Sequence, residues 1–363
     1  ILLFALVALG LVALMGAVAY DAPCSDPQAV AEGVPTMRAA WRGCYGDSGV
    51  LRLVDAARPE PAAGQVLVRV HAASVNPLDW HYLHGKPWIM RLSSGIGRPE
   101  DPRLGVDFAG VVEAVGEGVT RFRPGDRVFG GAGGAFAEYL VVREDRNILP
   151  IPEGIGFEAA AAVQIAGVTA LQAVRDAGKV GPGSRVLVNG ASGGVGVFAV
   201  QIAKAMGAEV TGVSSGRNTA LVASLGADHA IDYREHDFTR GDQRWDVIID
   251  NVGNHPLSAY RRALAPDGIH VMVTGPKSNP VLGPVARVLW AAMVNPFTGA
   301  THASLMAESR PEDLAVLRDM LADGRLRPVI DRRFGLDDVP AAIDYLGEGR
   351  TRGKNLVVLV PEG

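Results

Sequence analysis

Cysteine is scarce in this sequence, which has only Cys24 and Cys44 among its 363 residues. Two cysteines cannot build the disulfide framework of a small secreted domain, and they are too few for a cysteine-rich zinc module. The scarcity excludes both of those classes and favours a protein of a reducing compartment.

Clusters of positive charge are missing as well. The chain carries 35 Lys and Arg residues against 39 Asp and Glu residues, for a formal net charge of −4, and no basic block interrupts it. Proteins that bind nucleic acid present a basic patch or stripe to the phosphate backbone. Nucleic acid is therefore excluded as an expected partner.

Glycine, in contrast, is abundant, with 45 residues. Glycine suits tight turns and places where the backbone must approach a ligand closely. A chain of this length also has room for two domains, each with a core of its own. Both features fit an enzyme better than a small binding module.

The first twenty residues, ILLFALVALGLVALMGAVAY, contain no charged side chain. A helix of that length measures about 30 Å, which matches the hydrocarbon core of a bilayer. We therefore predict a transmembrane anchor over residues 1–20, followed by a linker over 21–36 that contains three prolines. A cleaved signal peptide is the alternative, because residues 17–19 resemble a cleavage site.

The rest of the chain shows two kinds of pattern. Up to about residue 142, short apolar runs such as VLVRVHAASV (66–75) are separated by Gly and Pro, which indicates a β-rich unit. From Phe157 onward, strand-like and helix-like segments alternate, and this alternation predicts βαβ units around a parallel sheet. The predicted fold class is therefore α/β, with a β-rich unit and a doubly wound unit of the Rossmann type.

One glycine-rich turn stands between a predicted strand and a predicted helix, in VLVNGASGGVGVFAV (186–200). Small residues allow a tight turn, and the backbone N–H groups and the positive end of the helix dipole attract a pyrophosphate. Alanine replaces the usual first glycine, which is tolerable if its φ is negative. A tight turn without a ligand is the alternative. We predict that these residues bind a dinucleotide: Ala191, Ser192, Gly193, Gly194, Val195 and Gly196.

The end of the following strand distinguishes the two nicotinamide dinucleotides. An acidic residue there would hold the ribose 2′-hydroxyl of NAD and repel the 2′-phosphate of NADP. The stretch VTGVSSGRN (210–218) offers Ser214, Ser215 and Arg217 instead. Two hydroxyls and a guanidinium can donate hydrogen bonds to a phosphate, so we predict NADP(H) as the cofactor. A surface arginine without a ligand is the alternative.

Several stretches of the chain have a recognisable order and spacing. They include SVNPLDW (74–80), GVDFAGVVEAVGEGVTRFRPGDRVFG (105–130), NGASGGVG (189–196) and RGKNLVVLV (352–360). In these stretches the chain, from about Met37 to its end, resembles the medium-chain dehydrogenase/reductase superfamily. Within it, the chain is similar to the zinc-free, quinone-oxidoreductase-like branch. The apolar N-terminal helix is not part of the family pattern.

The resemblance implies a domain organisation and further contacts to the cofactor. A GroES-like catalytic domain would span 37–159, a Rossmann domain that binds NADP would span 160–308, and residues 309–363 would return to the catalytic domain. Nicotinamide and substrate would share the cleft between the two domains. The additional cofactor contacts that the resemblance implies are Thr169, Tyr233, Asn251, Gly275, Lys354 and Asn355.

Zinc-dependent members of the superfamily hold a catalytic metal with cysteine, histidine and a further cysteine or acid. The first two positions correspond here to Asn76 and Val106. Neither an amide nor an aliphatic side chain is a usual zinc ligand, so we expect no metal. One metal alternative is the cluster of Asp79, His81 and His84, although solvated or hydrogen-bonded histidines are favoured there.

Without zinc, hydrogen bonds must polarise the substrate. This suits hydride transfer from NADPH to an apolar quinone or α,β-unsaturated carbonyl, in which negative charge develops on the conjugated oxygen. Asn76 is the first candidate donor, with Tyr82 and His81 next; a plain turn role before Pro77 is the alternative for Asn76. A zinc-free alcohol or ketone oxidoreductase and a non-enzymatic NADPH-binding membrane sensor stay open as other functions.

Two expectations concern location and assembly. The supply of NADPH places the catalytic domain at the cytoplasmic face of the membrane that residues 1–20 would enter. The apolar stretch 280–299 would either cover the cleft or pack in a subunit contact, and ordinary packing or a homodimer is favoured over a lid.

Overall fold

The computed structural model describes residue 10 and residues 13–274, 281–283, 285–298 and 301–361. Two large sheets organise the described chain, and each is packed against its own main hydrophobic cluster. A separate hairpin precedes them, in which β1 (Thr36–Arg42) pairs antiparallel with β2 (Leu51–Ala57).

The first large sheet is built from residues at both ends of the described chain. Its strands are β3 (Gln65–Val75), β4 (Asp107–Val115), β5 (Arg127–Gly131), β6 (Tyr139–Arg143), β7 (Ile148–Pro150), β14 (Ile330–Phe334) and β15 (Lys354–Val358). They follow the order β14-β15-β3-β4-β5-β7, with β6 also paired to β3, and all pairings except β14 with β15 are antiparallel. The C-terminal strands thus return to the sheet that the β-rich unit forms.

The second large sheet is entirely parallel. Its strands are β8 (Arg185–Asn189), β9 (Glu209–Ser214), β10 (His229–Asp232), β11 (Trp245–Asp250), β12 (Leu264–Met272) and β13 (Thr301–Ser304). The order β10-β9-β8-β11-β12-β13 corresponds to the doubly wound order of a dinucleotide-binding fold. In such a sheet ligands bind beyond the carboxyl ends of the central strands, here β8, β9 and β11.

Helices connect these strands; some cover the parallel sheet and others, such as the last one, pack on the first sheet. They are α1 (Pro77–His84), α2 (Arg91–Ser94), α3 (Phe157–Ala161), α4 (Gln164–Leu171), α5 (Gly196–Ala205), α6 (Thr219–Ser224), α7 (Leu257–Ala263), α8 (Val285–Thr298), α9 (Pro311–Ala322) and α10 (Val339–Gly347). A π-helical segment, Gln172–Ala177, continues α4.

The apolar runs of the parallel strands explain the packing. In RVLVN of β8, every residue after the first is buried, because helices cover both faces of the sheet. Helix α5 buries eight consecutive residues against it, from Gly196 to Ala203. The predicted α/β fold, with a GroES-like and a Rossmann-type unit, is confirmed. The domain limits 37–159, 160–308 and 309–363 stay predictions, and α3 crosses the first of them.

The N-terminal apolar segment does not support the predicted transmembrane helix. Residues 13–19 are helical, and within the described ranges no helix is both long and apolar enough to cross a bilayer. Residues 1–9, 11 and 12 of the predicted anchor lie outside the described residues.

The two cysteines form a disulfide bond with each other, between Cys24 in the predicted linker and Cys44 just after β1. Disulfides form and persist mainly in oxidising compartments. The expectation of a reducing compartment rested on the small number of cysteines, and the disulfide between them does not support it.

Candidate active site

The glycine-rich turn links the end of β8 to the start of α5. Gly190 takes the left-handed conformation, with φ of +76°, whereas Ala191 does not have a positive φ, which is the condition under which alanine is tolerable there. A Cβ on Gly196 would lie 2.1 Å from the Gly190 carbonyl oxygen, so only glycine fits there. These two glycines bring the chain from strand to helix in a very short turn.

The turn leaves room for a pyrophosphate above it. A Cβ added to Gly193 would meet only the Gly190 carbonyl oxygen, at 3.4 Å. The ten-residue helix α5 points its N-terminus at this space, where its dipole favours an anion. Asn251 borders the same edge through its Nδ2, which donates to the Asn189 carbonyl oxygen at 3.0 Å. Its buried Oδ1 has no partner among the described residues, so a polar group that could accept a hydrogen bond from a ligand stands beside the turn.

The residues predicted to bind the 2′-phosphate of NADP lie where β9 and β10 end. Ser214 and Ser215 are buried, and Ser214 accepts a hydrogen bond through its carbonyl oxygen from the Tyr233 N–H at 3.1 Å. Arg217 is exposed on the next turn, and its one hydrogen bond within the described chain is a long one, 3.4 Å, to the Arg350 carbonyl oxygen. An acidic group is also near, because a Cβ on Gly216 would lie 2.3 Å from an Asp232 carboxylate oxygen.

Lys354 connects the glycine turn to the catalytic unit. A Cβ on Gly194 would lie 3.6 Å from the Lys354 Cδ, so the lysine stem runs beside the turn. Its ammonium group donates to the Asn76 Oδ1 and lies 3.9 Å from the Asp107 Oδ2. Asn355, the next residue, is fully buried, and its Oδ1 has no partner within the described chain.

Asp107, at the start of β4, gathers the polar groups of this cleft. Its Oδ2 accepts from the Ser74 hydroxyl at 2.9 Å and from the Asn76 Nδ2 at 3.0 Å. Its Oδ1 accepts from the Ile165 N–H at 3.1 Å, at the start of α4. Because α4 belongs to the segment that leads into the parallel sheet, this carboxylate fastens the two units together beside the cleft.

Burial dominates the electrostatics of this cluster. It raises the pKa of Asp107, although Lys354 and the hydrogen bonds from Asn76 and Ser74 oppose the shift. Burial lowers the pKa of Lys354, and the carboxylates of Asp107 and Asp79 oppose that shift. Burial also raises the pKa of Asp79 to about 7, despite the hydrogen bond from the Asn76 N–H at 2.7 Å. The cluster therefore contains a carboxyl group that can change protonation near neutral pH.

The three predicted catalytic residues differ in what their polar groups contact. The side-chain Nδ2 of Asn76 donates both of its hydrogens to protein acceptors, namely the Asp107 carboxylate and the Ser74 carbonyl oxygen at 3.2 Å. His81, at its Nδ1, bonds to the Lys86 carbonyl oxygen at 2.7 Å. The half-buried Tyr82 hydroxyl makes no hydrogen bond to any other described residue. Their catalytic roles stay predictions.

Thr169 lies on the face of α4 that borders the cleft. It and Ile165, one turn earlier, are the only partly exposed residues of an otherwise buried helix. Its hydroxyl donates to the Ile165 carbonyl oxygen at 2.7 Å. The predicted cofactor contact of Gly275 lies outside the described residues.

The candidate metal ligands do not converge. Asp79 caps its own helix at the Asn76 N–H, while the Nδ1 atoms of His81 and His84 contact the carbonyl oxygens of Lys86 and Trp80. Across the part of the chain that the structure describes, no group of three or more His, Cys, Asp or Glu side chains could hold a metal ion.

Comparison with known proteins identifies the family. An alcohol dehydrogenase GroES-like domain model matches residues 62–153, and a model described as zinc-binding dehydrogenase matches residues 225–358. The chain is 32% identical to a chloroplastic quinone-oxidoreductase of Triphysaria versicolor, over 88% of this chain and 98% of that protein. The chain belongs to the zinc-free, quinone-oxidoreductase-like branch of the medium-chain dehydrogenase/reductase superfamily.

Two further relatives agree with this membership. A trans-enoyl reductase of Aspergillus terreus is 36% identical, over 81% of this chain and 86% of that protein. The structure of the quinone oxidoreductase from Coxiella burnetii superposes with a TM-score of 0.78 at 31% identity, over 90% of this chain and all of that one. Membership in this superfamily branch establishes an oxidoreductase that uses a nicotinamide nucleotide.

Motif matching missed Asp107, and it named Asp79 only as an alternative metal ligand. One signal was present in the sequence, because Asp107 stands in the apolar strand DFAGVV, where a charge requires a partner. Asp79 gave no such signal, because an acidic residue in the first turn of a helix is an ordinary cap.

Proposed function

We propose that this protein is an NADPH-dependent oxidoreductase that transfers hydride to a quinone or an α,β-unsaturated carbonyl without a catalytic zinc ion. The single observation that carries the proposal is the junction between the glycine turn and the polar cluster. Lys354 runs from Gly194 to Asn76, so the expected nicotinamide end meets an amide where zinc-dependent relatives place a metal ligand.

The choice of NADPH rests on the residues beyond β9. Ser214 and Ser215 stand where an NAD-specific enzyme has an acid, and the exposed Arg217 guanidinium is available for a phosphate. The Asp232 carboxylate beside Gly216 opposes this choice by its charge. We infer that the Arg217 guanidinium outweighs this charge, because it is exposed and makes only one long hydrogen bond within the described chain.

The side chains of the cleft suggest how the reaction is supported. When bound, the reduced nicotinamide supplies the hydride. Lys354 and Asn76 hold each other in place beside the cleft, and Asp107 keeps both side chains oriented. The Tyr82 hydroxyl is free to donate to the substrate oxygen on which negative charge develops, and such a donor lowers a barrier by about 3 kcal/mol.

An acceptor panel tests the proposal. Purified enzyme is mixed with NADPH and, in separate reactions, a benzoquinone, a linear enone and a saturated aldehyde, and the loss of NADPH absorbance is followed. We expect turnover of the quinone or the enone, and at most slow turnover of the aldehyde. Preference for the aldehyde would favour an alcohol or ketone oxidoreductase, and no turnover with any acceptor would favour a cofactor-binding sensor.

Two finer proposals concern location and assembly. A membrane tether through the N-terminal segment has support only from the uncharged sequence of residues 1–20. A relative from Arabidopsis thaliana is named as a chloroplast envelope quinone oxidoreductase homolog. That name describes the relative and does not locate this chain. A homodimer stays a proposal that sedimentation of the purified chain would test.

A further inference from the structure

Residues 17–26, here called the strap, run along the surface of the catalytic unit. The strap is fastened to it by main-chain hydrogen bonds from the Ala22 N–H to the Gly97 carbonyl oxygen at 2.9 Å and from the Ser25 N–H to the Gly43 carbonyl oxygen at 3.1 Å. The Cys24–Cys44 disulfide lies between these two attachments and closes a loop with a sequence separation of 20.

The strap lies against residues 85–97, here called the wall, and Arg91 of the wall holds it. Arg91 is 1% exposed, and its Nη1 donates to the carbonyl oxygens of Val18 and Tyr20, each at 3.0 Å. Its Nη2 lies 2.8 Å from the Asp21 carboxylate. A buried guanidinium whose partners are mostly strap atoms would be left uncompensated without the strap, which makes this contact specific.

The same arginine also holds the start of the wall. Its Nε donates to the Gly85 carbonyl oxygen at 2.8 Å, and its guanidinium stacks 4.5 Å from the centre of the Tyr45 ring. Gly85 has φ of +58°, and a Cβ there would lie 2.6 Å from the Tyr45 ring, so the wall fits tightly at this point. The Tyr45 hydroxyl in turn donates to the Gly95 carbonyl oxygen at 2.8 Å.

The wall contacts both the catalytic unit and the nucleotide-binding unit. It begins at Gly85, which caps helix α1 through a hydrogen bond from its N–H to the Tyr82 carbonyl oxygen at 3.3 Å. Further along, the Ile89 N–H donates to the Val281 carbonyl oxygen at 3.1 Å. Val281 lies between β12 and β13 of the parallel sheet, so the wall reaches from the catalytic helix α1 to the nucleotide-binding unit.

We propose that Arg91 is a positioning residue and that the disulfide-clamped strap is a specificity element, because together they fix the wall that shapes the substrate cleft. This inference rests on the proposed function. The strap precedes residue 62, where the match to the GroES-like family model begins, so it lies outside that model. A preorganised wall lowers the ordering cost of binding a substrate large enough to touch it.

Reduction of the disulfide tests the proposal. Tris(2-carboxyethyl)phosphine attacks the disulfide and breaks the S–S bond, and one water then supplies the oxygen of the phosphine oxide and the two protons of the thiols. We expect the KM of a bulky enone to rise about five-fold or more, because the released wall must be ordered on binding. The kcat for a small enone and the KM for NADPH should stay within about two-fold, because neither depends on that ordering. Unchanged KM values in enzyme with two titratable thiols would overturn the proposal.

Variants separate this effect from a general loss of structure. Cys24→Ser/Cys44→Ser should reproduce the reduced enzyme without any reductant, and Arg91→Lys should raise the same KM while keeping the charge. Arg52→Ala is the matched control, because it removes an exposed ion pair to Asp26 of the strap, at 3.4 Å, and leaves the wall untouched. An effect of Arg52→Ala as large as that of Arg91→Lys would overturn the role assigned to Arg91.

Hydrogen exchange gives a readout that does not depend on activity. In the oxidised and the reduced full-length chain, exchange is followed for the amides of residues 85–97 and, as a reference, of β8. After reduction we expect the amides of the wall to exchange faster. The exchange rates of the β8 amides should not change. Equal exchange of the wall in both states would overturn the proposal. If no acceptor of the panel is reduced but the wall exchanges faster after reduction, only the proposed function is refuted.

Discussion

Replacing Lys354 by Met should destabilise the protein strongly. The Lys354 ammonium is buried, lies 3.9 Å from the Asp107 carboxylate and donates to Asn76. The substitution keeps the length of the side chain but leaves the buried carboxylate without its cation. Loss of one partner of a buried ion pair costs about 3–5 kcal/mol. We expect the lower end of that range, because Asp107 keeps three hydrogen bonds, from Ser74, Asn76 and the Ile165 N–H.

A double-mutant cycle isolates the part of this cost that is electrostatic. Asp107→Asn removes the negative charge of the pair. The double variant Lys354→Met/Asp107→Asn buries neither the positive nor the negative charge. The double variant should be more stable than the sum of the two single losses by about 2 kcal/mol, because no uncompensated charge stays buried. Urea unfolding at pH 7.5, followed by tryptophan fluorescence, measures each free energy of unfolding.

An exposed ion pair provides the control for burial. Lys204 and Asp228 lie closer together, at 2.8 Å, but both side chains are about one third exposed. Lys204→Met should therefore cost less than about 1 kcal/mol. Additive losses in the cycle, or equal losses for Lys354→Met and Lys204→Met, would refute the view that burial gives the Lys354 pair its importance.

Three further predictions concern the cofactor, the hydrogen-bond donor and pH. Arg217→Ala should weaken NADPH binding roughly ten-fold and leave NADH unchanged, as measured by fluorescence titration; equal losses for both cofactors would show a structural role. Tyr82→Phe should lower kcat for an enone by about hundred-fold or more with little change in KM, as for a lost oxyanion donor; an unchanged kcat would exclude that role. Because the pKa of Asp79 is raised from 3.8 to about 7, the folded state binds its proton more tightly, and stability is lost as pH rises from about 4 to about 7. Asp79→Asn should reduce that loss in thermal unfolding across the same range, and parallel profiles for variant and wild type would contradict the shift.

The fold could be predicted from the sequence because its signals are local. The run RVLVN, the glycine turn and the following helix lie next to each other in the chain, and covered parallel strands require such apolar runs. The glycine requirement at Gly196 is equally local, because it follows from the carbonyl oxygen of Gly190 six residues earlier.

The polar cluster could not be predicted in the same way, because its members are distant in sequence. Asn76 and Lys354 are separated by 278 positions, and only the pairing of β15 with β3 brings them together. The pairing of β3 with β4 places Asp107 opposite Ser74, where it accepts the hydrogen bond from the Asn76 Nδ2, and no motif records that contact. The disulfide escaped prediction for a similar reason, since the number of cysteines does not show whether Cys24 and Cys44 meet.

The most direct test of the central claim is to follow the hydride itself. Metal-stripped enzyme reduces a linear enone with NADPH that carries deuterium at the transferred position, and the product is examined by NMR and mass spectrometry. The account predicts a saturated ketone with one deuterium on the former β-carbon. Deuterium on the carbonyl carbon of an allylic alcohol, or activity that returns only when zinc is added, would contradict it.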